Sequence, residues 1–238
     1  MATNYFILTK SKDEKIFENK GNGIFILNSD SVYILPRNLS TCYINDGLFE
    51  KYLIQWCIDN YKSPDKIFLD VGAHTGTYAI SMAKWFKEVY AFECQKMTFY
   101  SLCGSIALSN LRNVNAINFG LGSPEQVGEK TLKVISPDGG GSTVQSVNCP
   151  VMREEKIQMR TLDSFHLANI GFIKIDIEGN ELEMLKGSVE ALRNSDYPPI
   201  LFESNGENKA LFDFIQQIGY AFCKVNGATN MFLATHTK

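Results

Sequence analysis

FLDVGAHTGTYAISMAK, residues 68–84, begins as a short apolar run and continues with the periodicity of a helix. Apolar residues with i, i+3, i+4, i+7 spacing begin within it: Ala79, Met82, Ala83 and Phe86. Between the run and the helix, Asp70, Gly72 and Gly76 form the pattern D-x-G-x-x-x-G. A glycine turn at this point lets a ligand approach the backbone, and the following helix N-terminus offers N–H groups to an anion. The stretch therefore predicts a βα unit with a ligand-binding turn.

Four further apolar runs repeat the strand part of this unit. Each is continuous enough for a strand that is covered on both faces: EVYAFE (88–93), VNAINF (114–119), FIKIDI (172–177) and PILFES (199–204). Helical spacing returns at Leu182, Leu185, Val189 and Leu192, and again at Leu211, Phe214, Ile215 and Ile218 before Gly219. This alternation predicts an α/β fold, with a Rossmann-like doubly wound, mostly parallel sheet and helices on both sides.

The first 62 residues depart from this rhythm. The runs NYFIL, GIFIL and SVYIL within residues 4–35 predict a small hairpin-like element, followed by a helix near 47–60. The face of that helix is predicted to join the core through Phe49, Leu53, Trp56 and Cys57. We therefore predict a small N-terminal β/helix extension, residues 1–62, packed on a main domain of residues 63–238.

Within the main domain, residues 122–161 contain two more strand-like runs, EKTLKVI and KIQMRTL. They flank a triple glycine at 139–141, for which a turn is predicted because glycine is the default turn residue. The alternative is a mobile loop over a site.

Composition limits the classes of function. The 238 residues, of which 45% are hydrophobic and 21% charged, suffice for one well-buried core. A net charge of -3 argues against a broad basic face for nucleic acid or acidic lipid. Six cysteines without a C-x-x-C pair, and three histidines, make a poor zinc framework, so no metal site is predicted from them. With no signal-peptide or membrane-spanning pattern, we expect a cytoplasmic protein with free thiols.

The turn in residues 68–84 suits a small anion. It lacks the G-x-G-x-x-G of a dinucleotide site and the Gly-Lys-Ser/Thr of a P-loop. Glu93 ends the next strand, seventeen residues past Gly76 (93 minus 76), where doubly wound folds place the carboxylate that binds a ribose diol. Together these features predict a nucleoside-type cofactor. S-adenosylmethionine fits better than NAD because its carboxylate is its only anion, while Asp70 offers an acid to its ammonium and sulfonium.

For two residues of this turn, a purely structural role is the alternative to ligand binding. Asp70 could be satisfied within a tight βα turn that binds no ligand. His74 could contact the cofactor, help to deprotonate a substrate, or be a hydrogen-bonded structural residue or an exposed one.

FIKIDIEGNELEMLKGS, residues 172–188, contains the second set of polar residues. Its strand lies beside the first in a doubly wound order, so its carboxyl end faces the same crevice. By the period-2 rule Lys174, Asp176 and Glu178 point to one side. These charges must be paired or hydrated, and a Lys174–Asp176 salt bridge with acids favoured by the next helix is the structural alternative to a functional site. Glu181 and Glu183 are predicted to be structural helix residues.

In order and spacing, five blocks of this sequence resemble the FkbM-type methyltransferases, a branch of the class I S-adenosylmethionine-dependent enzymes. The blocks are DVGAHTGTYA, VYAFEC, TLDSF (161–165), IKIDIEGNELEMLKGS and PPILFES, within roughly residues 66–204. K-x-D-x-E-G-x-E followed by L-x-G is the most specific of them. The usual proline after the acid of the second block is Cys94 here, and a common asparagine of the first block is His74.

The resemblance implies a class I methyltransferase fold and S-adenosylmethionine as cofactor. It places these residues at the cofactor: Asp70, Gly72 and Gly76 at the methionine end, Glu93 at the ribose, and Asp176 and Glu178 near the transferred methyl. Family members typically methylate hydroxyl groups, often on sugars or polyketide-like products. The implied activity is therefore O-methylation of a small-molecule or glycan acceptor, most simply a sugar hydroxyl.

Such a reaction needs in-line alignment and a base for the hydroxyl proton. We expect Asp176 to be the base or to orient the substrate, with Glu178 or Glu203 as alternatives. Lys174 would position Asp176 or stabilise a developing alkoxide. A divalent magnesium ion shared by Asp176, Glu178 and Glu203 is an alternative that we do not favour. The other candidate functions are methylation of another small molecule, a protein or RNA, and cofactor binding without turnover; the acidic balance disfavours RNA.

Overall fold

The computed structural model of the chain describes residues 5–10, 17–19, 25–27, 31–36, 48–205 and 208–237. Its strands are β1 (Tyr5–Lys10), β2 (Phe17–Asn19), β3 (Phe25–Leu27), β4 (Ser31–Pro36), β5 (Ser63–Val71), β6 (Phe86–Phe92), β7 (Val114–Ile117), β8 (Gly120–Leu121), β9 (Gly128–Val134), β10 (Arg153–Arg160), β11 (Ile170–Ile175), β12 (Ile200–Glu203), β13 (Tyr220–Lys224) and β14 (Met231–His236). Its α-helices are α1 (Lys51–Tyr61), α2 (Thr77–Met82), α3 (Lys96–Leu108), α4 (Glu181–Lys186), α5 (Val189–Asn194) and α6 (Lys209–Gln217).

A seven-stranded sheet forms the centre, in the order β7-β6-β5-β11-β12-β14-β13. Strands β7, β6, β5, β11 and β12 are parallel, and β14 is inserted antiparallel between β12 and β13. The chain leaves β5 toward one edge of the sheet and β11 toward the other, so the carboxyl ends of these two neighbours form a topological switch point. The predicted doubly wound, mostly parallel α/β fold is confirmed.

The apolar runs are continuous because helices cover both faces of the sheet. On one face Phe68 and Phe172 stack with ring centroids 5.8 Å apart and join a core with residues of α1, α2 and α3. On the other face Leu69 and Ile173 pack with residues of α4, α5 and α6. Side chains from β5 and β11 therefore anchor both cores, which fixes the position of the strand ends.

Two predicted helices differ from the periodic pattern. α2 ends at Met82, a 3-10 turn covers Ala83–Trp85, and Phe86 is the first residue of β6 although it is buried as predicted. The segment after residue 180 forms two short helices that are interrupted at Gly187. A Cβ at Gly187 would lie 2.1 Å from the carbonyl oxygen of Gly122, so close packing of another segment accompanies the interruption.

In the N-terminal region, β1 pairs with β4 and β2 with β3, both antiparallel. β4 packs on α3, where the Val32 N–H donates to Ser109 Oγ at 2.7 Å and the Ile34 N–H donates to Ser105 Oγ at 2.8 Å. The predicted strand runs are confirmed where they are described; residues 4, 23 and 24 of those runs lie outside the described residues. The domain boundary at residue 62 stays a prediction.

The predicted first helix begins at Lys51, and residue 47 lies outside the described residues. Leu53 and Cys57 are buried and Trp56 is partly buried, as predicted, whereas Phe49 precedes the helix and is 44% exposed. The two strand-like runs at 122–161 are also present, as the antiparallel pair β9 and β10.

Five cysteines in the described part of the chain carry free thiols: Cys57, Cys94, Cys103, Cys149 and Cys223. The sixth, Cys42, lies outside the described residues. Of the helices that the structure describes, none combines the length and the apolar character needed to cross a membrane.

Candidate active site

A cavity of about 420 Å³ lies at the carboxyl ends of β5, β6 and β11, and we call it the cofactor cavity. The predicted site residues on its wall are Gly72, His74, Glu93, Lys174, Asp176 and Glu178. The switch point thus brings the two sequence motifs into one cavity. Asp70, Gly76 and Glu203 do not line it.

The glycine turn after β5 is shaped by contacts within the protein. Gly72 has φ 80°, and a Cβ there would lie 1.8 Å from the carbonyl oxygen of Asp176, so only glycine lets the ends of β5 and β11 approach this closely. The N–H groups of Gly72 and Ala73 both donate to the Phe92 carbonyl, at 3.0 and 2.9 Å. They join the turn to β6, so these two N–H groups are already bonded within the protein. Gly76, with φ 94°, starts α2.

Asp70 is buried, with 1% of its surface exposed. Its Oδ2 accepts a hydrogen bond from the Ala79 N–H at 2.9 Å, while its Oδ1 has no hydrogen-bond partner among the described residues. Burial raises the pKa of Asp70 to about 6, although the positive charge of Lys174 opposes this rise. Asp70 therefore anchors α2 and lies near Lys174, and it makes no part of the cavity wall.

Glu93 follows β6 and is 8% exposed. Its Oε2 accepts from the His74 N–H at 2.8 Å, and its Oε1 accepts from the Gln95 N–H at 2.7 Å. Burial raises the pKa of Glu93, while His74 and the backbone donors act in the opposite direction. The two N–H groups and a side-chain hydrogen bond from Thr98 fix the carboxylate of Glu93, which lies on the wall of the cofactor cavity.

The triple glycine belongs to a loop over the cofactor cavity, residues 136–142, which we call the glycine loop. His74 Nε2 lies 2.7 Å from the Asp138 carbonyl oxygen on this loop. The Gly141 N–H donates to Glu178 Oε1 at 3.0 Å. The predicted turn is present, with Gly141 at φ 70°, and it also lines the site. His74 therefore bonds the loop to the turn after β5.

Lys174 and Asp176 form the predicted ion pair, with Nζ 3.0 Å from Oδ2. The Lys174 side chain is 5% exposed and that of Asp176 31%. Burial alone would lower the pKa of Lys174, but the carboxylates of Asp176 and Asp70 hold it above its ordinary range. Burial alone would raise the pKa of Asp176, but the charge of Lys174 and a hydrogen bond with Glu203 lower it. Asp176 is therefore held as a carboxylate with a fixed orientation.

Glu203, at the end of β12, completes the group of acids. Carboxylate oxygens of Asp176, Glu178 and Glu203 lie within 4.8 Å of one another. Burial, the charge of Asp176 and the hydrogen bond between the two side chains raise the pKa of Glu203 to about 8. At neutral pH the Asp176–Glu203 pair therefore holds one proton. Three clustered acids suit a proton acceptor and are also the oxygen ligands that Mg²⁺ prefers.

Glu178 lies in the turn between β11 and α4, where the strand alternation has ended. Its φ of 54° and that of Gly179, 95°, are left-handed, a conformation that is costly for glutamate. Thr143 Oγ1 donates to the Glu178 carbonyl at 2.7 Å and helps to hold this turn. Glu181 accepts from the Gly179 N–H at 3.1 Å and is 4% exposed, so it also helps to hold this turn.

Some residues on the wall of the cofactor cavity are not among the predicted site residues. The Tyr78 hydroxyl donates to Glu50 Oε2 at 2.8 Å, and the Tyr78 ring centroid lies 5.1 Å from Lys174 Nζ. Glu50 and Tyr78 both line the cofactor cavity. Glu50 precedes α1, and no motif marks it. Phe119, also on the wall, is the last residue of the predicted strand run 114–119, and the strand-end rule could have identified it.

Residues 70–222 match the methyltransferase FkbM domain family. The methyltransferase FkbM from Methylobacillus flagellatus KT has a similar structure, with 18% identity and a TM-score of 0.52 over 72% of this chain and 44% of that one. The present chain thus covers less than half of that protein's length.

A precorrin-6y C5,15-methyltransferase from Geobacter metallireducens GS-15 is also similar, with 12% identity and a TM-score of 0.51 over 80% of this chain and 90% of that one. Comparison with curated proteins gives no match. At these identities the structural likeness establishes the fold alone. Since the matched domain spans more than half of the sequence, this chain carries a methyltransferase domain and belongs to the FkbM methyltransferase family.

Proposed function

We propose that the chain is an S-adenosylmethionine-dependent O-methyltransferase that acts on a hydroxyl of a sugar or glycan. The observation that carries this proposal is the Lys174–Asp176–Glu203 arrangement at the edge of the cofactor cavity. It combines a proton-accepting pair with a buried cation, which is what a weakly nucleophilic hydroxyl requires.

The residues of the cofactor cavity fit S-adenosylmethionine. Glu93 would hold the ribose hydroxyls, since its carboxylate is oriented by two N–H donors and lies on the wall of the cofactor cavity at the end of β6. Phe119 lies next to Asn118, whose side chain donates to the Glu93 carbonyl at 2.8 Å, so an aromatic face for the adenine lies near the ribose acid. Asp176 and Glu178 add to the cavity wall the negative charge that suits a sulfonium and an ammonium.

The bound cofactor would supply an electrophilic methyl group. The chain itself must orient the acceptor hydroxyl and receive its proton. Asp176 or Glu203 would accept that proton as the O–H bond breaks, and Lys174 would hold Asp176 Oδ2 in place throughout. With a pKa of about 8, Glu203 is the better matched proton acceptor under mildly alkaline conditions.

The test compares Asp176→Asn with Glu183→Gln, a control acid paired with Lys186 on an outer helix face. Transfer of labelled methyl to a panel of glycosides is measured together with cofactor affinity by calorimetry. We expect Asp176→Asn to lower kcat by about 10²–10⁴-fold, because the charged member of the proton-accepting pair is removed. Cofactor affinity should fall far less than kcat, because Glu178 keeps a carboxylate on the wall of the cofactor cavity. Wild-type kcat in Asp176→Asn would contradict the catalytic assignment. Retained cofactor binding with transfer to no glycoside would contradict the sugar acceptor.

The cytoplasmic location is part of the same proposal. Its support is the set of free cysteines in the described part of the chain, which suits a reducing compartment. The net charge of -3 supports a small-molecule or glycan acceptor over nucleic acid or a membrane surface.

A further inference from the structure

A second cavity, of about 540 Å³, adjoins the cofactor cavity at Glu178, and we call it the polar cavity. It lies at the carboxyl ends of β11 and β12, beside the start of α6 and the turn between β13 and β14. Its wall includes Glu178, Glu203, Ser204, Asn205, Asn208 and Asn230. It therefore lies on the β12 side of the topological switch point, where α/β sheets bind ligands.

The two cavities meet at the proposed catalytic group. Glu178 lines both of them, and the hydrogen-bonded pair places Asp176 on the wall of the cofactor cavity and Glu203 on that of the polar cavity. A hydroxyl bound against Glu203 would thus be next to its proton acceptor. Glu178 also holds a left-handed backbone at this junction, and such strain is concentrated at functional sites.

The wall of the polar cavity consists largely of amide, carboxylate and hydroxyl side chains, which together donate and accept hydrogen bonds to hydroxyl groups. Two hydrogen bonds hold parts of this wall: the Ser204 N–H donates to the Asn230 carbonyl at 2.8 Å, and Asn208 Oδ1 accepts from the Leu211 N–H at 3.1 Å. Of the described residues on this wall, none is lysine, arginine or histidine. An anion here would be desolvated beside Glu178 without a compensating charge.

We propose that the polar cavity is the acceptor site and that it takes a neutral or amine-bearing polyhydroxylated group while excluding carboxylates and phosphates. This inference rests on the proposed O-methyltransferase function. It adds the acceptor's place and charge class, which neither the family nor the cofactor site specifies.

The experiment uses matched hexosides that carry a hydroxyl, an amine, a carboxylate or a phosphate. Methyl transfer is measured as kcat/KM, and binding to the protein loaded with S-adenosylhomocysteine is measured by saturation-transfer NMR. Asn205→Lys adds a cation at the polar cavity, and Asn194→Lys adds the same charge at the exposed end of α5. We expect wild-type kcat/KM for the neutral and amine acceptors to exceed that for the anionic ones by at least about tenfold.

Asn205→Lys should lower the ratio of kcat/KM for neutral over anionic hexosides by about threefold to fivefold. Asn194→Lys should leave that ratio unchanged. Preferential methylation of anionic hexosides, or the same response to both lysine variants, would overturn the inference and leave O-methylation intact. If binding is charge-selective and changes in Asn205→Lys but no hexoside is methylated, the proposed function is overturned. The polar cavity would then still be a binding site with the inferred charge preference. Absence of both binding and transfer would overturn both. If methyl transfer is lost on chelation and restored by magnesium, Asp176, Glu178 and Glu203 form a cation site. That result would overturn the inference that the polar cavity excludes anionic acceptors.

Discussion

Replacing Lys174 with methionine tests whether the buried ammonium holds the strand-end acids in place. Lys174 Nζ lies 3.0 Å from Asp176 Oδ2, and Lys174 is the register partner of Asp70 where β11 runs beside β5. Removing one member of a buried ion pair costs about 3–5 kcal/mol of unfolding free energy, because the partner's charge stays buried. Since the Asp176 side chain is 31% exposed, solvent screening reduces that cost, and we expect about 2–3 kcal/mol.

Urea unfolding at about pH 8 and about pH 5 measures this loss. Without Lys174, the native-state pKa values of Asp70 and Asp176 rise, because the charge that lowers both is gone. A carboxyl group whose pKa is higher in the folded than in the unfolded state destabilises the fold once the pH rises through its folded-state pKa. The loss of unfolding free energy in Lys174→Met should therefore be larger at about pH 8 than at about pH 5.

The matched control is Lys186→Met, which removes a lysine 2.7 Å from Glu183 on an exposed helix face. It should cost less than about 1 kcal/mol at either pH. Equal losses in the two variants, or a Lys174→Met deficit that does not change with pH, would refute the reasoning.

Four further outcomes are expected. Gly72→Ala should lower the melting temperature and weaken cofactor binding, because its Cβ would lie 1.8 Å from the Asp176 carbonyl oxygen; an unchanged melting curve contradicts this. Glu93→Ala should weaken cofactor affinity by calorimetry by about tenfold, and unchanged affinity would exclude the ribose assignment. The pH profile of wild-type kcat should rise through about pH 8, where Glu203 loses its proton, and Glu203→Gln should lack this rise. His74→Ala, which removes the 2.7 Å contact to the Asp138 carbonyl, should raise the KM for cofactor, and an unchanged KM would show that the loop does not need this contact.

The switch point could be predicted because its signals are local. Continuous apolar runs predict that β5 and β11 are strands buried on both faces of the sheet. The polar residues at their carboxyl ends predict a ligand site at that edge. β5 and β11 are adjacent in the sheet, as predicted, and Lys174 is the register partner of Asp70. The Lys174–Asp176 pair also follows from strand alternation, since residues two apart share a side.

Other features depend on contacts between distant segments, which periodicity does not encode. Glu50 reaches the cofactor cavity because the region before α1 packs near Tyr78. The division between α4 and α5 lies where Gly187 approaches the Gly122 carbonyl, so a sequence pattern typical of one helix yields two. Asp70 matches its motif, but the turn directs its carboxylate to the Ala79 N–H and away from the cavity wall.

The glycine loop has a thermodynamic consequence. One part of it bonds His74, whose N–H donates to Glu93, and another bonds Glu178, which lines both cavities. A ligand that orders this loop in one cavity reduces the entropy that must be lost when the second ligand arrives. Such linkage is reciprocal, so an acceptor should tighten cofactor binding by the same factor by which cofactor tightens acceptor binding. We therefore expect the two substrates to bind cooperatively.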